Sequence, residues 1–243
     1  MSQISTSTPL AFADCTASNI TNDKVTEYIN SYYKPLDETI GRFREKSEEM
    51  FIPIILKETE SFLGVVLKME RPERILEIGT AVGYSAIYFA RLLPEATVLT
   101  MDRHPKLIPH ATENFATWEE GKRIDFRIGE ATDTLDALIA EKEADPENFK
   151  PFDFIFIDAG KSHYREFFDK AEQLASDDAL FICDNVFMKA YLVDYKSSAA
   201  AYRHRTNVKR MREFIDYIYG RDDLDATLMS DGDGLLMIRK RNA

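Results

Sequence analysis

The chain has 243 residues, 44% of them hydrophobic and 30% charged, and it sets 31 Lys plus Arg against 42 Asp plus Glu, a formal charge of −11. This composition suits one generous globular domain, and the acidic balance argues against coating nucleic acid or anionic membrane by bulk charge, while leaving room for a local basic patch. Cys15 and Cys183 stand far apart in no metal-ligand spacing, so neither a disulfide framework nor a zinc site is indicated, and no stretch approaches the roughly 18 apolar residues of a membrane span.

Residues 1–22 are rich in Ser, Thr and Ala, and are expected to form a flexible tail. They lack a basic n-region, and the apolar run 9–13 is too short for a signal peptide, so a cytoplasmic protein is expected. Thr21, Asn22 and Asp23 offer N-caps for a first helix through Val25, Tyr28 and Ile29. Pro35 opens a second helical stretch with Arg42, Arg44, Lys46, Glu48 and Glu49. A third follows Pro53, with Ile55, Phe62, Leu63, Val66 and Leu67 as its apolar stripe. No linker-like composition follows, so 23–72 reads as front helices of a single domain spanning 23–243, with the core over 73–243.

From residue 73 the pattern alternates. Buried strands are predicted at 74–78, 97–101, 123–128, 152–157 and 179–183, with helices at 85–93, 105–118, 132–140 and 164–174 between them. Such alternation means βαβ units and a parallel sheet covered on both faces. A long helical segment ends near Tyr219, and two strands follow at 226–229 and 234–239. Only residues 230–233 separate them, so they form an antiparallel hairpin.

The first strand runs into Glu77-Ile78-Gly79-Thr80-Ala81-Val82-Gly83-Tyr84-Ser85. Glycines at a strand-to-helix turn let a ligand approach the backbone at the carboxyl edge of a sheet. A pyrophosphate site would have three glycines as G-x-G-x-x-G. Here the spacing is Gly79-x-x-x-Gly83, preceded by an acid that would repel pyrophosphate but suits an ammonium or sulfonium. The second strand ends at Asp102, placed to accept ribose hydroxyls, and Glu130 with Ala131 after the third strand are placed to meet an adenine.

The fourth strand ends in Asp158-Ala159-Gly160-Lys161 and the fifth in Cys183-Asp184-Asn185. Parallel strands point their ends to one edge, so Asp158, Asp184 and Asn185 can converge as hard oxygen ligands for Mg²⁺ or another divalent cation. Lys161 stands close as a base or electrostatic aid for a hydroxyl. The bland alternative is that Asp184 and Asn185 only cap the next segment.

In this order these motifs, with Gly232-Asp233-Gly234, resemble the metal-dependent O-methyltransferases that use S-adenosylmethionine, the group of the catechol and caffeoyl-coenzyme A enzymes. The resemblance spans residues 52–239. It implies an α/β, Rossmann-like seven-stranded sheet with its last strand antiparallel. It also implies cofactor contacts from Ile55, Glu77, Gly79, Thr80, Gly83, Tyr84, Ser85, Asp102, Glu130, Ala131 and Asp158. Asp158, Asp184 and Asn185 would hold the metal, with Asp158 and Lys161 catalytic. The family commonly forms homodimers, and the front helices are candidates for that interface.

Residues 196–212 carry Lys196, Arg203, Arg205, Lys209, Arg210 and Arg212 with no acid, and Arg205, Lys209 and Arg212 fall on one helical face. With the Asp-Asn-Val start, this is similar to the bacterial tRNA 5-hydroxyuridine methyltransferases, which implies tRNA as partner and Arg203, Arg205, Lys209, Arg210 and Arg212 as its contacts. A solvated helix face is the bland reading. A small catechol or hydroxycinnamoyl-type hydroxyl substrate is the enzymatic alternative, and a non-catalytic cofactor- or RNA-binding module is the alternative of another class.

Overall fold

A computed structural model describes residues 22–194, 196 and 199–241. All of the expected tail except Asn22 lies outside the described residues. Helix α1 (Asp23–Asn30) starts where the Asn22 side chain accepts the Lys24 amide at 3.0 Å. Helix α2 (Glu38–Glu49) is capped by Asp37, whose carboxylate takes the Thr39 and Ile40 amides at 2.8 and 3.0 Å. Helix α3 (Lys57–Glu70) begins four residues after Pro53. Ile55, expected within that helix, therefore lies in the irregular segment before it. Leu56 is still extended at φ −67° and ψ 159°, so the chain coils only from Lys57.

The core follows as β1 (Arg74–Ile78), α4 (Tyr84–Leu92), β2 (Thr97–Asp102), α5 (Ile108–Thr117), β3 (Ile124–Ile128), α6 (Ala131–Ala144), β4 (Phe152–Ile157), α7 (Tyr164–Leu174) and β5 (Ala175–Cys183). Then come α8 (Ala199–Arg203), α9 (Arg205–Tyr219), β6 (Leu224–Met229) and β7 (Leu235–Lys240). The strands form one sheet in the order β3-β2-β1-β4-β5-β7-β6, parallel except where β7 runs antiparallel to both neighbours. The predicted parallel core and closing hairpin are thus present. Several boundaries differ, with β5 starting at Ala175 rather than 179, α5 at Ile108 rather than 105, and α6 running to Ala144 rather than 140. A 3₁₀ turn at Glu119–Arg123 takes Arg123 out of the strand, and its guanidinium caps the end of α4 by donating to the Ala90, Leu93 and Ala96 carbonyls. The long helical segment divides at His204 into α8 and α9.

Alternation along the strands sorts side chains into two cores. Leu76, Ile78, Ile155, Ile157, Phe181 and Cys183 face α6, α7 and α9. Ile75, Phe154, Phe156, Leu180 and Ile182 face α2, α3 and α4. Among the described residues no helix is long and apolar enough to cross a membrane. Chain direction reverses its winding between β1 and β4, which is where an α/β sheet opens a crevice at its carboxyl edge.

Candidate functional site

That crevice is a cavity of about 940 Å³. Its floor is set by Gly79, whose φ of +110° and whose place against the Asp158 carbonyl leave no room for a Cβ, which would sit 2.0 Å from that oxygen. The strand ends are tied across this point, since the Asp158 amide donates to Ile78 and the Asp184 amide to Ile157, each at 2.9 Å.

Of the residues predicted from sequence, Ile55, Gly79, Thr80, Tyr84, Ser85, Asp102, Glu130, Ala131, Asp158, Lys161, Asp184 and Asn185 line the cavity together. Asp102 braces the glycine turn, its carboxylate accepting the Ala81 amide at 2.8 Å and the Thr80 amide at 3.2 Å, while its other oxygen takes the His104 amide at 2.7 Å. Glu130 is exposed and paired with Arg103 at 2.6 Å.

Glu77 and Gly83, expected among the cofactor contacts, are not on the cavity wall. Glu77 is fully buried under the turn, beside Thr100 on the register partner strand. Thr100 Oγ1 donates to it at 2.5 Å and Ser85 Oγ donates to its other oxygen. Burial pushes its carboxyl up to about 8 against those two hydrogen bonds. Gly83 faces inward, where a Cβ would meet the Phe115 ring at 2.5 Å.

At the other end, Lys161 Nζ sits at the centre of four oxygens. It donates to Asp158 Oδ1 at 2.8 Å, the Tyr164 hydroxyl at 2.7 Å, Asn185 Oδ1 at 3.0 Å and the Asp184 carbonyl at 3.1 Å. Burial alone would lower the Lys161 pKa, but Asp158, Tyr164 and Asp184 outweigh it and hold the ammonium charged above its ordinary value. Asp184 is pushed well up by burial and by the Asp158 charge. Its Oδ1 accepts the Asn185 amide at 2.6 Å and Asn185 Nδ2 at 3.0 Å. Asn185 is itself held at φ +54°, a costly conformation for a side-chain-bearing residue and one that clusters at functional sites.

The Asp158 carboxylate, the Asn185 amide oxygen and the Asp184 carbonyl thus already gather around one positive charge, with the Asp184 carboxylate next to them on Asn185. The donor set fits a hard divalent cation that keeps part of its water shell. Among the described residues no trio of His, Cys, Asp or Glu is grouped for a metal, and here an asparagine completes the set.

Sequence reasoning left Asp233 without a role, although it stands in the quoted Gly232-Asp233-Gly234 turn. Asp233 lines the cavity and receives the Lys189 amide at 2.5 Å, and burial pushes its carboxyl up to about 6. Lys189 and Phe167 also line the cavity, and no local spacing marked either one.

None of the five cations assigned to tRNA lines the cavity. Arg203, Arg205, Lys209 and Arg210 are exposed. The Arg205 guanidinium lies 4.8 Å from the Tyr202 ring, and Lys209 pairs with Glu213 at 3.7 Å. Arg212 turns to the loop after the metal set, donating through Nε to the Leu192 carbonyl at 2.8 Å and through Nη2 to Val193 at 3.3 Å.

A sheet in this order, with its antiparallel seventh strand and a crevice over a Gly-x-x-x-Gly turn, defines a methyltransferase-type α/β protein. Residues 28–241 match the family model described as O-methyltransferase. The chain is 29% identical over 215 residues to a catechol O-methyltransferase of Niastella koreensis, covering 86% of this chain and 92% of the relative. It is 30% identical over 186 residues to a catechol O-methyltransferase of Mycobacterium tuberculosis, covering 73% and 77%. An O-methyltransferase of Bacillus cereus, solved in complex with SAH, superposes with a TM-score of 0.73 at 28% identity over 89% of this chain and 97% of that one. The chain belongs to the O-methyltransferase family and is an S-adenosylmethionine-dependent O-methyltransferase.

Proposed function

We propose that the chain methylates the 5-hydroxyl of 5-hydroxyuridine in tRNA, with Mg²⁺ held by Asp158, Asp184 and Asn185. The observation that carries the hydroxyl chemistry is the convergence of these three oxygen donors and Lys161 in the cavity that the glycine turn floors. Bound there, a divalent cation supplies the charge that lowers a hydroxyl pKa and fixes the oxygen. The protein's own contribution is positional. Asp158 stands between the glycine turn and the acceptor end, its carbonyl against Gly79 and its Oδ1 on Lys161, Lys161 would keep a positive charge beside an acceptor oxygen, and the glycine turn would bind the cofactor that carries the methyl.

Support for a polyanionic acceptor comes from the exposed cations of α8 and α9 and from their link to the site. His204 stacks on Tyr191 with ring centroids 5.5 Å apart, and Arg212 holds the loop that starts at Asn185. A tRNA lying on that face would reach the cavity rim through contacts to phosphates. The second reading, a small catechol-type acceptor, is favoured by the relatives' activities and by a cavity wall free of those five cations.

The test is methyl transfer from labelled S-adenosylmethionine with Mg²⁺, offered tRNA bearing 5-hydroxyuridine in parallel with a catechol, each repeated with chelator. Label on tRNA that vanishes with chelator is the expected result. Label on catechol alone would replace the tRNA reading by the second one. Label insensitive to chelator would overturn the metal assignment.

A further inference from the structure

One wall of the cavity is the irregular segment before α3, where Pro53, Ile54, Ile55 and Leu56 face inward. No strand pairing holds residues 53–55. Instead the Ile55 carbonyl accepts Arg44 Nη2 at 2.9 Å. The same guanidinium, with its side chain 4% exposed, pairs with Glu60, whose side chain is 2% exposed. It also donates to the Tyr33 hydroxyl at 3.0 Å and to Glu48 at 3.1 Å. Glu60 in turn accepts the Tyr33 hydroxyl at 2.7 Å and the Tyr84 hydroxyl at 2.6 Å. Tyr84 belongs to the first turn of α4, directly after Gly83, and lines the cavity, with its ring 4.9 Å from the Arg44 guanidinium.

A single buried ion pair from α2 and α3 therefore grips two cavity walls. One is the segment carrying Ile55, and the other is the helix that opens from the glycine turn. Buried ion pairs are weak stabilisers compared with apolar residues of the same volume, because desolvation offsets their attraction. What a planar, multiply bonded guanidinium provides well is fixed geometry. We propose that Arg44 and Glu60 are positioning residues for S-adenosylmethionine, holding Ile55 and Tyr84 at the spacing that the cofactor needs. This rests on the reading that the cavity takes that cofactor.

The test is calorimetric binding of S-adenosylhomocysteine to the full chain, for the wild type, Arg44→Lys and Tyr84→Phe, with the melting temperature of each. Amide exchange at Ile54, Ile55 and Leu56 is followed alongside. A lysine keeps the charge but cannot bond Tyr33, Glu48, Glu60 and Ile55 together. The expected result for Arg44→Lys is a Kd raised about tenfold, the scale of one lost charge-assisted hydrogen bond, with faster exchange at those three amides. Tyr84→Phe removes only the hydroxyl that reaches Glu60, and is expected to raise Kd about fivefold. Lower melting temperatures with wild-type Kd and exchange would make the pair purely structural and overturn the proposal. If Arg44→Lys does not fold, Tyr33→Phe joins Tyr84→Phe, and unchanged affinity in both is the overturning result. A wild type that fails to bind at all would refute the cofactor reading itself.

Discussion

Two ion pairs flank the same cavity, the half-buried Asp158–Lys161 at its acceptor end and the buried Arg44–Glu60 behind the wall, and they differ in what remains unsatisfied. Arg44 and Glu60 are enclosed by Tyr33, Tyr84 and the Ile55 carbonyl, so nearly all their bonding capacity is spent within the protein. Asp158 and Lys161 face the cavity beside Asp184 and Asn185, and a ligand can exchange for any of these partners. A lysine on a flexible stem suits the exchanging cluster, and a forked arginine suits the fixed one. The contrast teaches that an enclosed polar network sets geometry, whereas one left open to a cavity can do chemistry.

The largest expected effect strikes the open cluster. Asp158→Ala is expected to cut methyl transfer about a thousandfold while the protein keeps its circular dichroism and cooperative melting. Undiminished turnover would break the distinction between the two clusters.

A second variant sharpens the comparison with a third, hidden group. Burial pushes the Glu77 carboxyl up to about 8 in the fold, so it is expected to stay neutral there at pH values where the unfolded chain, near its ordinary value of 4.5, has already ionised it. The unfolded chain therefore binds fewer protons between these values, and the group's contribution is full below the lower value and lost as pH rises through that window. Glu77→Gln is expected to flatten the stability profile of the cofactor-free protein between those pH values by about 5 kcal/mol. Denaturant melts that track the wild type at every pH would show that the carboxyl is not held neutral.

The smallest effect lies outside both clusters. The double variant Arg205→Glu, Lys209→Glu is expected to weaken tRNA binding about tenfold and to reduce its log–log salt slope by about 2, leaving catechol turnover unchanged. Equal losses on both acceptors would return α9 to a purely structural role.

How much was legible follows the same division. The βαβ alternation, the hairpin and the glycine turn could be read because each is a local pattern of period, spacing and residue type. Asp102, Asp158, Asp184 and Asn185 could be placed at one edge because parallel strands all end there, so strand order did not need to be known. Pro53 marked the start of the third helix too early, because the sequence pattern does not show that the segment after it is held at the Ile55 carbonyl by Arg44 from another helix.

The amino-acid order by itself determined the sheet's class, its carboxyl-edge crevice and the oxygen-rich set within it, since backbone periodicity and strand direction bring those residues together. Only the tertiary structure decided that Glu77 lies beneath the cavity rather than on it, that Arg212 holds a loop, and that Arg44 meets Glu60 under Tyr84. Those outcomes depend on how side chains from separate elements pack and desolvate one another, and no local spacing encodes that.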